Sequence, residues 1–256
     1  MADSRAVVRS EEKPRSRGIY LIPNLFTLAA LFAGFYAIIA SQHGLFEHAA
    51  IAILVAAIMD SLDGRVARLL QSQSEFGGQL DSLSDMICFG LAPALLLYTW
   101  SLSALGKIGW LVAFIYTACT ALRLARFNTQ MQNPDKRFFQ GLATTAAAPL
   151  VASGVWAAVE NGLVGSELAI VSLCVALVLS VLKVSSVKYR SFKDFDVRQH
   201  VPFVVLLIIV VSLVLVSFDP PDVLCVVGAL YVLSGPVEAG IQGLRTRRPA
   251  GWRRRG

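Results

Sequence analysis

Histidine is scarce in this chain and cysteine is scattered. The three histidines, His43, His48 and His200, form no cluster. The four cysteines, Cys88, Cys119, Cys174 and Cys225, stand singly in apolar segments without a Cys-x-x-Cys pair or any other metal-ligand spacing, and read as small core residues. No Gly-x-Ser-x-Gly elbow is present to offer a serine nucleophile. No polar stretch is long enough for a soluble domain, and no internal repeat is evident. The net charge of +6 therefore has no soluble basic domain to sit on, which sets a nucleic-acid partner aside. A cleavable leader is also disfavoured. The polar, basic first 19 residues are followed by an apolar run of about 22, long for a signal-peptide core, and no small-x-small cleavage site follows it.

What is abundant is apolar sequence. Hydrophobic residues make up 55% of the 256 positions and the mean hydropathy is +0.62, values of a multi-span membrane protein. Membrane-length runs fall at residues 20–41, 47–70, 79–99, 107–126, 141–159, 167–183, 201–217 and 222–241. They predict an all-α polytopic membrane protein of about eight transmembrane helices. Its divisions are a basic N-terminal segment 1–19, a membrane domain 20–241 and a basic tail 242–256. With that count, every Lys and Arg except Lys107 falls on one side, which by the positive-inside tendency makes both termini cytoplasmic. Arg65 and Arg68 weigh less in this, since they lie inside the segment described next. The tail, with Trp252 among its arginines, suits anionic head groups at the interface, or serves as a plain topology signal.

The chain is organised around Asp60–Asp85, where Asp60, Asp63, Asp81 and Asp85 interrupt apolar sequence. Charged residues in such surroundings are costly and are functional candidates by default. Asp60 and Asp63 are three apart and Asp81 and Asp85 four apart, so each pair shares one helix face. Two such pairs on neighbouring helices bring four carboxylates around one point, a donor set suited to Mg²⁺ or Mn²⁺. The bland alternative makes them helix caps or salt-bridge partners of Arg65 and Arg68. Asp60 lies 13 residues after Glu47, roughly 20 Å along a helix. It is thus predicted roughly 10 Å below the cytoplasmic boundary of a core about 30 Å thick. With the third span starting near Gln79, Asp81 and Asp85 occupy its first two turns at a similar depth.

The pattern Asp60-x2-Asp63-Gly64-x2-Ala67-Arg68-x8-Gly77-x3-Asp81-x3-Asp85 resembles, position for position, the signature of the CDP-alcohol phosphatidyltransferase family. The resemblance implies a membrane enzyme that moves a phosphatidyl group from a CDP-activated lipid to an alcohol. Two metal ions about 4 Å apart can clamp the attacking and leaving oxygens of such a displacement. Asp60, Asp63 and Asp81 are the natural ligands. The resemblance places Asp85 at the metals too and makes it the catalytic base on the incoming hydroxyl. Gly64, Ala67, Arg68 and Gly77 are then expected at the CDP-lipid. Otherwise Gly64 serves close helix packing and Arg68 snorkels to the interface. Asn24 and Thr27, polar and three apart in the first span, join them, or act in ordinary capping. The absence of His-x-Lys-x4-Asp argues against the covalent phosphatidyl-histidine route of phospholipase D-like enzymes and leaves direct attack by the acceptor.

The flanks 22–35, 77–94, 122–128, 139–142 and 231–236 look like the bacterial phosphatidylserine synthase branch of that family. In one departure, Ala143-Thr144-Thr145 follow Phe139-Gln140-Gly141-Leu142 where that branch often has prolines. The implied substrates are CDP-diacylglycerol and L-serine, in a bacterial inner membrane with the active site on the cytoplasmic side. A homodimer is admitted as the assembly. Arg123 and Arg126 are the candidates for the serine carboxylate, with Asn128 a further polar group, although topology alone also explains the arginines. Another acceptor, such as glycerol 3-phosphate, inositol phosphate or choline, is the runner-up. A cation transporter using the four aspartates is the reading from another class.

Overall fold

The computed structural model describes residues 21–72, 74–131, 141–185, 214 and 216–246, and every regular element among them is helical. The expected segment 1–19, the loop residues Lys136 to Gln140, most of the expected seventh span 201–217, the basic residues from Lys188 to Arg198, and the tail beyond Thr246 with Trp252 lie outside the described residues.

Where water is excluded, a chain must satisfy its backbone polar groups within each segment, and apolar runs accordingly become helices. In order these are α1 Leu21–Gln42, α2 Phe46–Leu69, α3 Glu75–Asp85, a π-helical turn Met86–Leu91, α4 Ala92–Trp100, a 3-10 turn Leu102–Leu105, α5 Lys107–Met131, α6 Thr144–Glu160, α7 Ala169–Val184 and α8 Pro220–Thr246. From α3 through the π turn to α4 the chain runs on as one 26-residue rod, Glu75–Trp100. Among the described residues, four stretches are long and apolar enough to cross a membrane: Leu21–Gln42, Glu75–Trp100, Lys107–Thr129 and Pro220–Val237. The 24-residue α2 carries the aspartate pair and two arginines, and α6 and α7 are shorter apolar helices. The chain is an integral, multi-pass membrane protein.

Several boundaries differ from the sequence reading, α5 for one running to Met131 rather than 126. The third span begins at Glu75 rather than near Gln79, because Ser74 caps it: the Gly77 N–H donates to Ser74 Oγ at 3.0 Å. Asp81 and Asp85 consequently sit in the second and third turns, not the first two. The fifth span starts at Thr144, after residues that are not helical. There Gly141 adopts φ +89° with its α-carbon packed on the Lys183 carbonyl, a place closed to any side chain. The last helix runs past 241 to Thr246.

The helices meet through small residues. Ala37, Ala49, Ala50, Ala56, Ala92 and Ala148 are fully buried, as expected where lipid removes the usual apolar drive and backbones must approach closely. The large side chains Phe32, Phe114 and Ile170 point outward instead, 71%, 61% and 71% exposed. α1 packs along α2, α2 on α6, α6 on α8, and α5 on α7. α6 and α7 run in opposite directions. The Leu142 N–H donates to the Leu182 carbonyl at one end, while Ser101 Oγ donates to the Gly165 carbonyl at the other. Among the described residues no feature singles out a homodimer face.

α1 and the α3–α4 rod run parallel and form the seam that carries the site. Ser84 Oγ donates to the Thr27 carbonyl (3.3 Å) and Cys88 Sγ to the Ala30 carbonyl (3.1 Å). One turn on, Gly34 lies so close to Cys88 that a Cβ would stand 2.6 Å from its sulfur.

Candidate functional site

α2 delivers Asp60 and Asp63 from one face of its second half, and α3 delivers Asp81 and Asp85 from the facing side. One carboxylate oxygen from each of Asp60, Asp63 and Asp81 lies within 4.8 Å of the other two. Asp85 completes the group: its carboxyl meets that of Asp60, and its Oδ1 is buried without a hydrogen-bond partner. The four aspartates expected to converge do converge.

Their surroundings decide between the two readings of the cluster. Among the described residues no Lys or Arg forms an ion pair with any of the four. Arg68 turns back along its own helix, Nε donating to the Gly64 carbonyl at 2.9 Å, and both Arg65 and Arg68 are exposed. Salt-bridge service to these arginines is therefore not what holds the aspartates. Four carboxylates without counter-charge repel one another, and an orphaned buried oxygen adds to that cost. A hard divalent cation matches both the donor set and the spacing, so these residues fit a metal.

Partners from α1 brace the cluster. Thr27, 4% exposed, donates through Oγ1 to Asp63 Oδ2 at 2.8 Å, and Asp63 is itself only 6% exposed. The same hydroxyl stands 3.2 Å from the Pro23 carbonyl, within its own helix. Asn24, one turn earlier, comes beside Gly77: a Cβ on that glycine would sit 3.2 Å from Asn24 Oδ1 and 3.1 Å from Ser74 Oγ. Gly64 is different. It faces open space with no atom within 4 Å of a Cβ position, so close helix packing does not explain it. Ala67 is half-buried on the same helix, one turn from Gly64.

Two features were not foreseen. Asn128 Nδ2 donates to Ser82 Oγ at 3.0 Å, tying α5 to the residue after Asp81. Lys183, which closes an apolar run and so reads as an interfacial cation, is 1% exposed and faces inward. Of the two arginines proposed for an acceptor, Arg123 reaches Thr144 Oγ1 on α6 at 3.4 Å, its Nε buried without a partner, and Asp85 is among the charges that act on it. Arg126 is half-buried one turn further along α5.

A family model, CDP-alcohol phosphatidyltransferase, matches residues 20–182, which include all four aspartates. The chain belongs to that family. Three similar proteins are each named CDP-diacylglycerol–serine O-phosphatidyltransferase. The one from Helicobacter pylori is 36% identical over 217 residues, 85% of this chain and 90% of the relative. That from Methanocaldococcus jannaschii is 34% identical over 218 residues, 84% and 94%. That from Bacillus subtilis is 31% identical over 172 residues, 67% and 91%. Membership in that family favours phosphatidyl transfer over cation transport as the task of the aspartates.

Proposed function

We propose that this CDP-alcohol phosphatidyltransferase transfers the phosphatidyl group of CDP-diacylglycerol to L-serine, giving phosphatidylserine and CMP. The observation that carries the reading is the convergence of Asp60, Asp63 and Asp81 from two helices onto one point, with Asp85 against Asp60. The names of the similar proteins support serine as the acceptor.

Asp60, Asp63 and Asp81, with Asp85 beside them, would hold the metal, Mg²⁺ or Mn²⁺ and two ions in this reading, which would supply positive charge to offset that of the diphosphate and of the departing CMP. Asp85 takes the proton of the serine hydroxyl. The freed oxygen attacks the phosphatidyl phosphorus directly, the bond to the CMP oxygen breaks, and CMP leaves with that electron pair. Gly64, exposed and without neighbours, lets the nucleotide approach the α2 backbone, with Ala67 alongside. Arg68 reaches phosphate oxygens. Gly77 and Asn24 line the α1–α3 side, and Thr27 orients Asp63. Arg123 and Arg126 hold the serine carboxylate.

The segregation of basic residues supports a cytoplasmic site and cytoplasmic termini, in a bacterial inner membrane. The test is CMP release by the purified protein, in CDP-diacylglycerol vesicles, with L-serine, glycerol 3-phosphate, inositol 1-phosphate and choline offered in turn. Serine should be preferred. Preference for any other overturns the acceptor while leaving the family membership intact.

A further inference from the structure

One buried cation is left without a task by the mechanism above. Lys183 closes α7, where a lysine usually extends to the interface to meet water and the helix C-terminus. This one is instead 1% exposed. Its ammonium donates to Thr120 Oγ1 at 2.8 Å and lies 3.1 Å from the centroid of the Tyr116 ring, both on α5. Thr120 is itself fixed: its hydroxyl donates to the Tyr116 carbonyl at 2.9 Å, and its methyl packs on Gly90 in the π turn.

The same face of α5 carries Arg123 one turn on from Thr120, and the guanidinium is among the charges that act on Lys183. Two basic side chains thus share one interior, and among the described residues neither forms an ion pair with a carboxylate. Donors remain uncommitted: Arg123 Nε is buried without a partner, and so is the Tyr116 hydroxyl. Burying two like charges side by side is unfavourable unless an anion comes to them. Asp85 marks where that anion must lie, because the reacting hydroxyl has to reach the base while the rest of the acceptor extends toward Arg123.

We propose that Lys183 is a positioning residue for acceptor choice: held by Thr120 and Tyr116, its ammonium backs Arg123, and the paired cations select an acceptor that carries a carboxylate. This rests on the serine reading above. Arg123 touches the carboxylate; Lys183 acts through it, adding positive potential from behind and keeping the guanidinium turned toward the acceptor.

The experiment compares L-serine with ethanolamine, which keeps the hydroxyl and ammonium and lacks the carboxylate. Rates of CMP release are measured for wild type, Lys183→Met and Lys183→Arg, with the KM for CDP-diacylglycerol in parallel. Lys183→Met should raise the serine KM roughly tenfold, the effect of losing one charge near a partly buried anion. It should shrink the serine-over-ethanolamine preference by a similar factor and leave the CDP-diacylglycerol KM unchanged. Lys183→Arg should keep most of the preference. If Lys183→Met lowers both acceptors equally, Lys183 is only packing and the proposal falls. Where that variant does not fold, Thr120→Val, which removes the ammonium's partner, carries the test, and an unchanged preference again overturns it. If wild type itself does not prefer serine to ethanolamine, the serine reading fails first, an outcome separate from a wild type that prefers serine and a Lys183→Met variant that does so equally.

Discussion

Thr27→Val isolates one hydrogen bond at the heart of the site. The substitution keeps the branched shape and removes the hydroxyl that donates to Asp63 Oδ2 at 2.8 Å. Both residues are buried, at 4% and 6% exposure, so little water can replace the lost donor. A hydrogen bond to a charged group contributes about 1.5–3 kcal/mol. At 1.4 kcal/mol per factor of ten, that is about 10- to 100-fold in a binding constant. Partners that orient metal-ligating carboxylates independently suggest about 10- to 100-fold when removed. The assay starts from enzyme stripped with EDTA, which should be inactive, and titrates Mn²⁺ while following both CMP release and Mn²⁺ bound at equilibrium. Thr27→Val should shift both curves to higher Mn²⁺ by that factor, with the rate at saturating metal largely recovered. Thr27→Ser should stay near wild type. Activity in the stripped enzyme would remove the metal altogether, and unshifted Mn²⁺ curves for Thr27→Val would show that the Thr27–Asp63 contact does not hold a ligand in place.

Asp85→Asn should cut kcat while CDP-diacylglycerol still binds, whereas Asp60→Asn should weaken Mn²⁺ binding and nucleotide binding together; a near-normal kcat in Asp85→Asn removes it as the base. Gly34→Ala should destabilise the α1–α3 seam by about 1–3 kcal/mol, the usual range for overpacking, because its Cβ would stand 2.6 Å from Cys88 Sγ. Thermal unfolding in detergent reads this, and Gly34→Ala combined with Cys88→Ala should recover part of the loss. Single cysteines introduced at Ser4, Gly162 and Gly256 of a cysteine-free variant should, in intact cells, react with a membrane-impermeant reagent only at position 162; labelling of either terminus contradicts the proposed orientation.

The aspartate site was legible in the sequence because spacing alone puts Asp60 with Asp63 and Asp81 with Asp85, and a charge in apolar sequence is conspicuous. Helix existence was legible for the same reason: long apolar runs have few other structures open to them. The start of α3 was not, since Glu75, Gly77, Gly78 and Gln79 keep the hydropathy low there and hydropathy cannot see a helix that Ser74 begins ahead of the apolar stretch. The Thr27–Asp63 bond joins residues 36 apart and depends on how far α1 slides along α2, which no local pattern specifies. The inward turn of Lys183 was not legible, because a lysine at the end of an apolar run looks alike whether it reaches outward or turns in; only the ring of Tyr116 and the hydroxyl of Thr120, 63 residues away, distinguish the cases. Gly64 was readable as unusual, but the open space before it became evident only in three dimensions.

The π turn directly after Asp85 acts as a register converter. A π-helical turn accommodates a residue beyond the α-helical repeat, and one residue corresponds to roughly 100° of rotation at 3.6 residues per turn. Within a single rod, the angle at which Asp81 and Asp85 face α2 is thereby uncoupled from the angle at which α4 buries Leu96 and Leu97. The catalytic end and the packing end can drift in sequence separately, each keeping its own orientation. Were the same residues wound as plain α-helix, keeping α4 packed would turn Asp81 and Asp85 by roughly 100° away from Asp60 and Asp63, and only the removal of one residue from Met86–Leu91 would let an uninterrupted α-helix keep both faces.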